Sequence, residues 1–327
     1  MNILFAGTPD PVSVILEHLI FEKHRVVGIL TQPDNLKSRS RHNKLSTVKK
    51  IGLKYSIPIF QPSFLKSNVQ IFQILSKLNI DLVVVVAYGL IIPKVLLDIP
   101  RYGWINIHMS CLPQWRGAAP IQRAIEFGHD FTGITIIQMN SNLDGGDILS
   151  KTIVPIFSND TTPILFERLV NHSVDMLHHV LWKLSLNQLK PIKQLLHQGS
   201  YAHKLKKIDG LMDFSCGSSS IINKYRAYQP WPGLYFFAFG LNIKCANLTI
   251  KNNTTDFPPG EIIDIDKNGI QVQCVDSVIN INSIQFPGKK MHTLEKILLG
   301  RNMNDFIKLN LLVQRYAYLR KMSDIKI

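Results

Sequence analysis

Asp81-Leu82-Val83-Val84-Val85-Val86-Ala87 is the stretch that decides the fold. Its four consecutive valines break any alternation of polar and apolar residues, and β-branched side chains favour an extended backbone. A strand that is apolar on both faces belongs in a parallel sheet covered by helices. Outward toward the N-terminus, Val69–Leu78 carries a helical repeat, Ile57–Phe60 a short strand and Val26–Leu30 another strand. Asn2–Ala6 is a further buried strand, which ends in the turn Gly7-Thr8-Pro9-Asp10 before a helix from Val12 to Phe21. Toward the C-terminus, Trp104–Ile107 and Gly133–Met139 are strands separated by a helix from Ala119 to Phe127, and Thr162–Leu184 is a long amphipathic helix. Strands alternating with helices predict an α/β domain with a parallel-rich sheet over residues 1–189.

Beyond Leu189 the character changes. Pro191, Gly199 and the run His203-Lys204-Leu205-Lys206-Lys207 read as a basic linker over 190–207. Short strands follow at Leu234–Phe239, Ile243–Thr249, Gly260–Asp264, Ile270–Gln273 and Val278–Ile284, broken by Gly, Pro and Asn. Their spacing predicts a small OB-like β-barrel domain over 208–315, which includes a helix from Thr293 to Leu311, and then a tail over 316–327. A chain of 327 residues that is 46% hydrophobic is long enough for two such cores.

Lys and Arg number 37 against 23 Asp and Glu, a net charge of +14. That surplus favours a polyanionic partner, either nucleic acid or an anionic membrane surface. A composition rich in Lys, Asn and Ile supplies part of the same charge without purpose. The longest apolar run is hemmed in by Asp81, Pro93 and Lys94, too short to span a bilayer. With no basic leader and four scattered cysteines lacking any CxxC, the expected compartment is the reducing cytoplasm.

The densest polar cluster begins at Asn106-Ile107-His108. Residues two apart in a strand share a face, and the carboxyl ends of strands in open α/β sheets are where ligands bind. By itself the pair reads as well as a capped strand end and a hydrogen-bonded core histidine. A second cluster, Asn142-Leu143-Asp144-Gly145-Gly146-Asp147, follows the Gly133–Met139 strand, and its glycines allow a tight turn that can aim Asp144 inward. If the two strands are neighbours, Asp144 reaches His108. An amide, an imidazole and a carboxylate facing one pocket suit transfer of a small acyl group between nitrogens. Cys111 with His108 and Asp144 offers the alternative of a thiol hydrolase, although a free cysteine is more often a small buried apolar residue. His108, Asp144 and Asp147 lack metal-ligand spacing, so no metal is expected there.

The order of several motifs adds to this reading. They are Phe5-Ala6-Gly7-Thr8-Pro9, Thr31-Gln32-Pro33-Asp34, Val84-Val85-Val86-Ala87-Tyr88-Gly89, Asn106-Ile107-His108, Arg116-Gly117-Ala118-Ala119-Pro120-Ile121-Gln122 and Leu143-Asp144-Gly145-Gly146-Asp147. Tyr201-Ala202-His203-Lys204-Leu205, Arg226-Ala227-Tyr228-Gln229-Pro230-Trp231-Pro232 and Pro287-Gly288-Lys289-Lys290 extend them into the second domain. Together they resemble the methionyl-tRNA formyltransferase family over nearly the whole chain. The resemblance implies a Rossmann-like formyltransferase domain with Asn106, His108 and Asp144 as its formyl-transfer triad. Ser110, Cys111, Leu112 and Pro113 match the family's tetrahydrofolate-contacting Ser-Leu-Leu-Pro, with Cys111 in place of the first leucine. The implied donor co-substrate is 10-formyltetrahydrofolate, the acceptor is initiator Met-tRNA, and the protein is a cytoplasmic monomer with no metal and no membrane partner.

The basic stretch Lys37-Ser38-Arg39-Ser40-Arg41-His42-Asn43-Lys44 matches an inserted loop of the family that grips the acceptor end of tRNA. Arg39, Arg41 and Lys44 are then tRNA-binding residues, joined by Lys204, Lys206 and Lys207 and extended by Lys289 and Lys290. The family's Pro-Ala-Gly before the loop arginine is absent, and Ser40 replaces a glycine. Two other readings remain open: a folate-dependent formyltransferase acting on glycinamide ribonucleotide or an amino sugar, and a non-catalytic tRNA-binding protein.

Overall fold

The valine run lies at the centre of a seven-stranded sheet. A computed structural model describes residues 1–34, 45–238, 240–251 and 256–300. In chain order the first part comprises β1 (Asn2–Gly7), α1 (Ser13–Phe21), β2 (Arg25–Leu30), α2 (Thr47–Lys54), β3 (Ile59–Phe60), α3 (Val69–Lys77) and β4 (Leu82–Val86). Then come α4 (Lys94–Leu97), β5 (Trp104–His108), β6 (Arg116–Gly117), α5 (Pro120–Glu126), β7 (Phe131–Gln138), β8 (Ile148–Pro155), α6 (Thr162–Ser185) and β9 (Tyr201–Ala202).

The strand order is β3-β2-β1-β4-β5-β7-β8. The ladders from β3 to β5 are parallel, and those of β5 with β7 and β7 with β8 are antiparallel. Every residue of β4 is buried, as its lack of alternation requires. One face packs with Leu4, Ala6, Leu30, Leu75, Tyr88 and Trp104 in a single apolar cluster. Local chemistry starts the helices: the Ser46 hydroxyl accepts from Lys49 N (3.2 Å) ahead of α2, and the Asn68 side chain accepts from Ile71 N (3.1 Å) ahead of α3.

The chain packs as two units, the first comprising residues 1–121, 130–157 and 164–204. Residues 190–204, expected as linker, therefore belong to the first unit. Ile192 and Ile148 exchange backbone hydrogen bonds of 2.8 and 2.9 Å, and β9 pairs in parallel with β6. Pro, Gly and Lys marked this stretch as irregular, but isolated pairings of one or two residues leave no periodic trace. Strand β8, on the sheet edge, and the short α2 and α4 likewise had no expectation attached to them.

The second unit takes residues 122–129 and 158–163 together with the described residues from Leu205 to Gly300. It contains α7 (Ser218–Ala227), β10 (Leu234–Ala238), β11 (Leu241–Lys251), β12 (Ile262–Asp266), β13 (Gly269–Gln273), β14 (Val278–Gln285), β15 (His292–Thr293) and α8 (Leu294–Gly300). Its sheet is antiparallel throughout, in the order β10-β11-β14-β13-β12, with β15 on β14. Three serines and an asparagine hid α7, which buries Ile221 and Ala227. The segment 122–129 is tied into this unit by charge: Arg123 Nη1 donates to Glu126 Oε2 at 2.5 Å, and its Nη2 lies 3.6 Å from Asp209 Oδ2. The Tyr228 hydroxyl donates to Glu126 Oε1 at 2.7 Å, and burial together with that carboxylate drives the phenol's pKa upward. The expected helix Thr293–Leu311 is seen as α8; residues 301–311 lie outside the described residues, as does the tail. Among the described residues no helix is long and apolar enough to cross a membrane.

Trp104 ties β5 to the cluster: it is 1% exposed, and its Nε1 donates to the Leu96 carbonyl at 2.8 Å. Trp104→Phe keeps most of the ring but orphans a buried acceptor. The expected cost is about 1–3 kcal/mol. Urea unfolding followed by far-UV circular dichroism should show a lower midpoint with an unchanged slope; an unchanged midpoint would mean that water replaces the indole.

Candidate active site

Alternation along β5 sends Ile105 and Ile107 to one face and Asn106 and His108 to the other. The antiparallel ladder pairs Ile105 with Gln138 and Asn106 with Ile137. The chain therefore leaves β7 one residue along from Asn106, which is why a turn after β7 can return to β5. Asp144 sits in that turn with φ +48°, a left-handed conformation that short polar residues tolerate. Gly146 permits the close return: a Cβ there would lie 1.7 Å from the Gln138 carbonyl oxygen. Gln194 Nε2 then donates to the carbonyls of Asp144 (2.9 Å) and Gly146 (2.6 Å).

So held, the Asp144 carboxylate gathers the site. Its Oδ1 accepts from Asn106 Nδ2 at 3.1 Å, and its Oδ2 accepts from Gly117 N at 2.9 Å. His108 Nδ1 is 3.7 Å from Oδ2, an ion-pair distance rather than a hydrogen bond. On the other side of the ring, His108 Nε2 lies 2.9 Å from the Trp115 carbonyl. A carbonyl only accepts, so Nε2 carries a proton and Nδ1 is the nitrogen turned toward the carboxylate. His108 is 6% exposed and Asp144 10%. The structure thus brings Asn106, His108 and Asp144 together.

The segment after β5 is hydrogen-bonded chiefly to β7 and β8. Thr135, fully buried on β7, accepts from Leu112 N (3.1 Å) and donates to the Ser110 carbonyl (2.7 Å). Ser110 Oγ donates to the Gln114 carbonyl at 2.6 Å, and Lys151 Nζ donates to the Leu112 carbonyl at 2.9 Å. The side chains of Ser110 and Leu112 are fully buried, while Pro113 is partly exposed. Cys111 Sγ donates to the Thr132 carbonyl at 3.3 Å and lies 3.7 Å from that of Thr152. Burial also raises the pKa of this thiol. A protonated thiol turned into β7 and β8 is no nucleophile, and this removes the thiol-hydrolase alternative.

Arg39, Arg41 and Lys44 lie outside the described residues. At the near edge of that stretch, Lys49 Nζ donates to Asp34 Oδ2 and to Gln61 Oε1 (2.8 Å), and Gln61 Nε2 donates to the Gln32 carbonyl (2.8 Å). The Lys49 ammonium holds the Asp34 carboxyl below its usual range. Lys204 is an exposed residue of the first unit; Lys206 and Lys207 are exposed in the second. Lys289 and Lys290 line a cavity of about 480 Å³ in the second unit with Phe286, His292 and Lys296.

Sequence reasoning missed four contributors to the site: Thr135, the Gly117 amide, the Trp115 carbonyl and Gln194. Thr135 had a signal, since it is the lone hydroxyl in Gly133-Ile134-Thr135-Ile136-Ile137. Gly117 stands in the Arg116–Gln122 motif and Trp115 directly before it, but both act through backbone groups that the motif does not reveal, and no motif marks Gln194 in the supposed linker.

Residues 1–181 match the model of the formyl transferase family, and residues 204–302 match its C-terminal domain. The methionyl-tRNA formyltransferase of Francisella tularensis subsp. novicida is 41% identical over 310 residues, 94% of this chain and 97% of that protein. The chain belongs to the methionyl-tRNA formyltransferase family. Among solved structures, an N-formyltransferase from Helicobacter canadensis, in complex with folinic acid and dTDP-3-aminofucose, superposes with a TM-score of 0.65 at 15% identity. The match covers 89% of this chain and 100% of that one. HypX from Aquifex aeolicus, in complex with tetrahydrofolic acid, gives 0.60 at 16% identity over 91% of this chain and 47% of its own. At such identities the likeness is one of fold.

In this formyltransferase, Asp144→Asn offers one amide oxygen where two carboxylate oxygens each took an N–H. Either Asn106 Nδ2 or Gly117 N must then face an NH2 group, at about 1–3 kcal/mol for the orphaned donor. Formyl transfer should fall by about 10- to 100-fold in a folded protein, with a displaced Gly117 amide resonance. An unmoved resonance would show that the carboxylate does not hold that amide.

Proposed function

We propose that this chain transfers the formyl group of 10-formyltetrahydrofolate to the α-amino group of methionine on initiator Met-tRNA. The observation that carries the reading is the convergence of Asn106, His108 and Asp144 at the end of β5. The resemblance to relatives named for this reaction supports it at 41% identity. Identities of 15–16% to enzymes bound to amino-sugar nucleotides or folates carry no substrate assignment, so the sugar and glycinamide alternatives have less support.

The reaction moves a formyl carbon from one nitrogen to another, and a proton must travel the same path in reverse, from the methionyl amine to the folate nitrogen. The α-amine has a reference pKa near ~8, and esterification lowers it, so a neutral fraction is present at pH 7. Attack on the formyl carbon places negative charge on its oxygen. Asn106 Nδ2 has a second N–H beyond the one given to Asp144, and His108 Nε2–H now rests on the Trp115 carbonyl. The free Asn106 N–H is a donor for that oxygen, and the His108 Nε2–H becomes a second one on leaving the Trp115 carbonyl, in a site from which water is largely excluded. Asp144, directly or through a water, takes the amine proton and returns it to the leaving nitrogen. The Ser110–Pro113 segment serves the folate as a stiff wall, since its polar groups are already held by Gln114, Thr135 and Lys151.

Replacement of one oxyanion donor typically costs about 10²–10³ in rate. His108→Ala and Asn106→Ala should each show that loss in single-turnover formylation of Met-tRNA, with normal circular dichroism and tRNA affinity. Near-normal turnover in both would remove the triad from the mechanism, and no product from wild type with 10-formyltetrahydrofolate would remove the function.

For tRNA, the proposal assigns the acceptor end to Arg39, Arg41 and Lys44, with Lys204, Lys206 and Lys207 as further phosphate contacts. The Asp34–Lys49–Gln61 cluster supports this by fixing where the basic stretch leaves the body. Arg39→Ala should lower Met-tRNA formylation and weaken discrimination between initiator and elongator Met-tRNA, while folate binding persists. A phosphate contact alone would instead flatten the salt dependence by about one unit of log–log slope. Wild-type rates on both tRNAs at every salt concentration would reduce the stretch to charged surface.

A further inference from the structure

Within the first unit, α1 and α6 bring together three side chains that the formyl-transfer chemistry does not use. His18 and Glu22 stand one helical turn apart at the end of α1, and His178 comes from α6. One ring nitrogen of each histidine and one carboxylate oxygen all lie within 4.8 Å of one another. His178 Nδ1 is 3.4 Å from Glu22 Oε2. That equals the edge of a tetrahedron whose metal–ligand bonds are about 2.1 Å. The two imidazole centroids are 6.1 Å apart and the rings inclined at 72°, so neither ring stacks on the other and their nitrogens can converge. His18 Nε2 is buried and has no hydrogen-bond partner. A buried polar atom left unpaired needs an explanation, and an unseen ligand is one.

We propose that His18, Glu22 and His178 bind one divalent transition-metal ion, Zn²⁺ by the character of its donors, with water in the fourth position. Two imidazoles and a carboxylate form a donor set suited to Zn²⁺. Ca²⁺ and Mg²⁺ are held by six or more oxygens and find only one acidic side chain here. The ion closes the C-terminal end of α1 onto α6, and its role is to fasten the helical layer. Because it binds the folded chain alone, it raises the unfolding temperature with metal concentration.

The test uses the full-length, untagged protein, stripped with chelator and titrated with Co²⁺ and then Zn²⁺. One ion per chain is expected, with the visible d–d absorption of four-coordinate Co²⁺, displaced by Zn²⁺ and accompanied by a higher Tm. Removal of a partner that merely orients a ligand costs 10- to 100-fold in affinity, so loss of a ligand should cost about 100-fold or more. His178→Ala should do this without unfolding the protein, because that side chain is 55% exposed. Glu22→Gln should weaken binding as well, and His172→Ala, exposed on the same helix, should leave it unchanged. Formylation by both ligand variants should equal wild type. The proposal is overturned by a thiolate charge-transfer band, which would move the ion to a cysteine, by unchanged affinity in His178→Ala, or by no saturable binding in wild type.

Discussion

Burial of β4 on both faces is the constraint on which everything else rests. A strand of leucine and valines cannot turn either face to water without exposing several side chains, each worth about 1.5–3 kcal/mol when buried. Helices must therefore lie on both sides, which calls for crossover connections, and crossovers make the neighbouring strands parallel. Parallel strands share a carboxyl end, and His108 closes β5 at that end beside the loop 109–118.

The ladders turn antiparallel from β5 to β7 and again from β7 to β8, and the first of these pairings builds the site. The antiparallel ladder releases the chain next to Ile105, and the small Gly146 lets the return pass against the Gln138 carbonyl. Asp144 then works mainly as an organiser: its two oxygens fix a side-chain amide and a backbone amide, and its charge faces the imidazole. A buried carboxylate is stable only when its acceptor sites are filled, so the same bonds that place it also make it tolerable.

Polar groups elsewhere follow a similar logic at lower cost. Thr135 satisfies two backbone groups of the segment after β5 from within the sheet, and Cys111 is spent as a donor to strand carbonyls. In the second unit, Arg123, Glu126, Asp209 and Tyr228 form one network that recruits residues 122–129 from far along the chain. Charge pairs of this kind direct packing more than they add stability.

Much of this was legible in the sequence, because it depends on local periodicity. The runs at Asn2–Ala6, Val26–Leu30 and Asp81–Ala87 announce buried strands, and the short strands after Leu234 announce a second, antiparallel core. Asn106 and His108 were legible as one face because strand alternation is a local rule, and the Gly-Gly turn was legible because only small residues permit it. Tertiary structure decided what local rules cannot carry. The direction of β7 brings Asp144 to Asn106, and residues 190–204 supply Gln194 and β9 to the first unit although their composition resembles a linker. Those contacts join residues dozens of positions apart through single hydrogen bonds, and such bonds impose no period on the chain that a reader of the sequence could see.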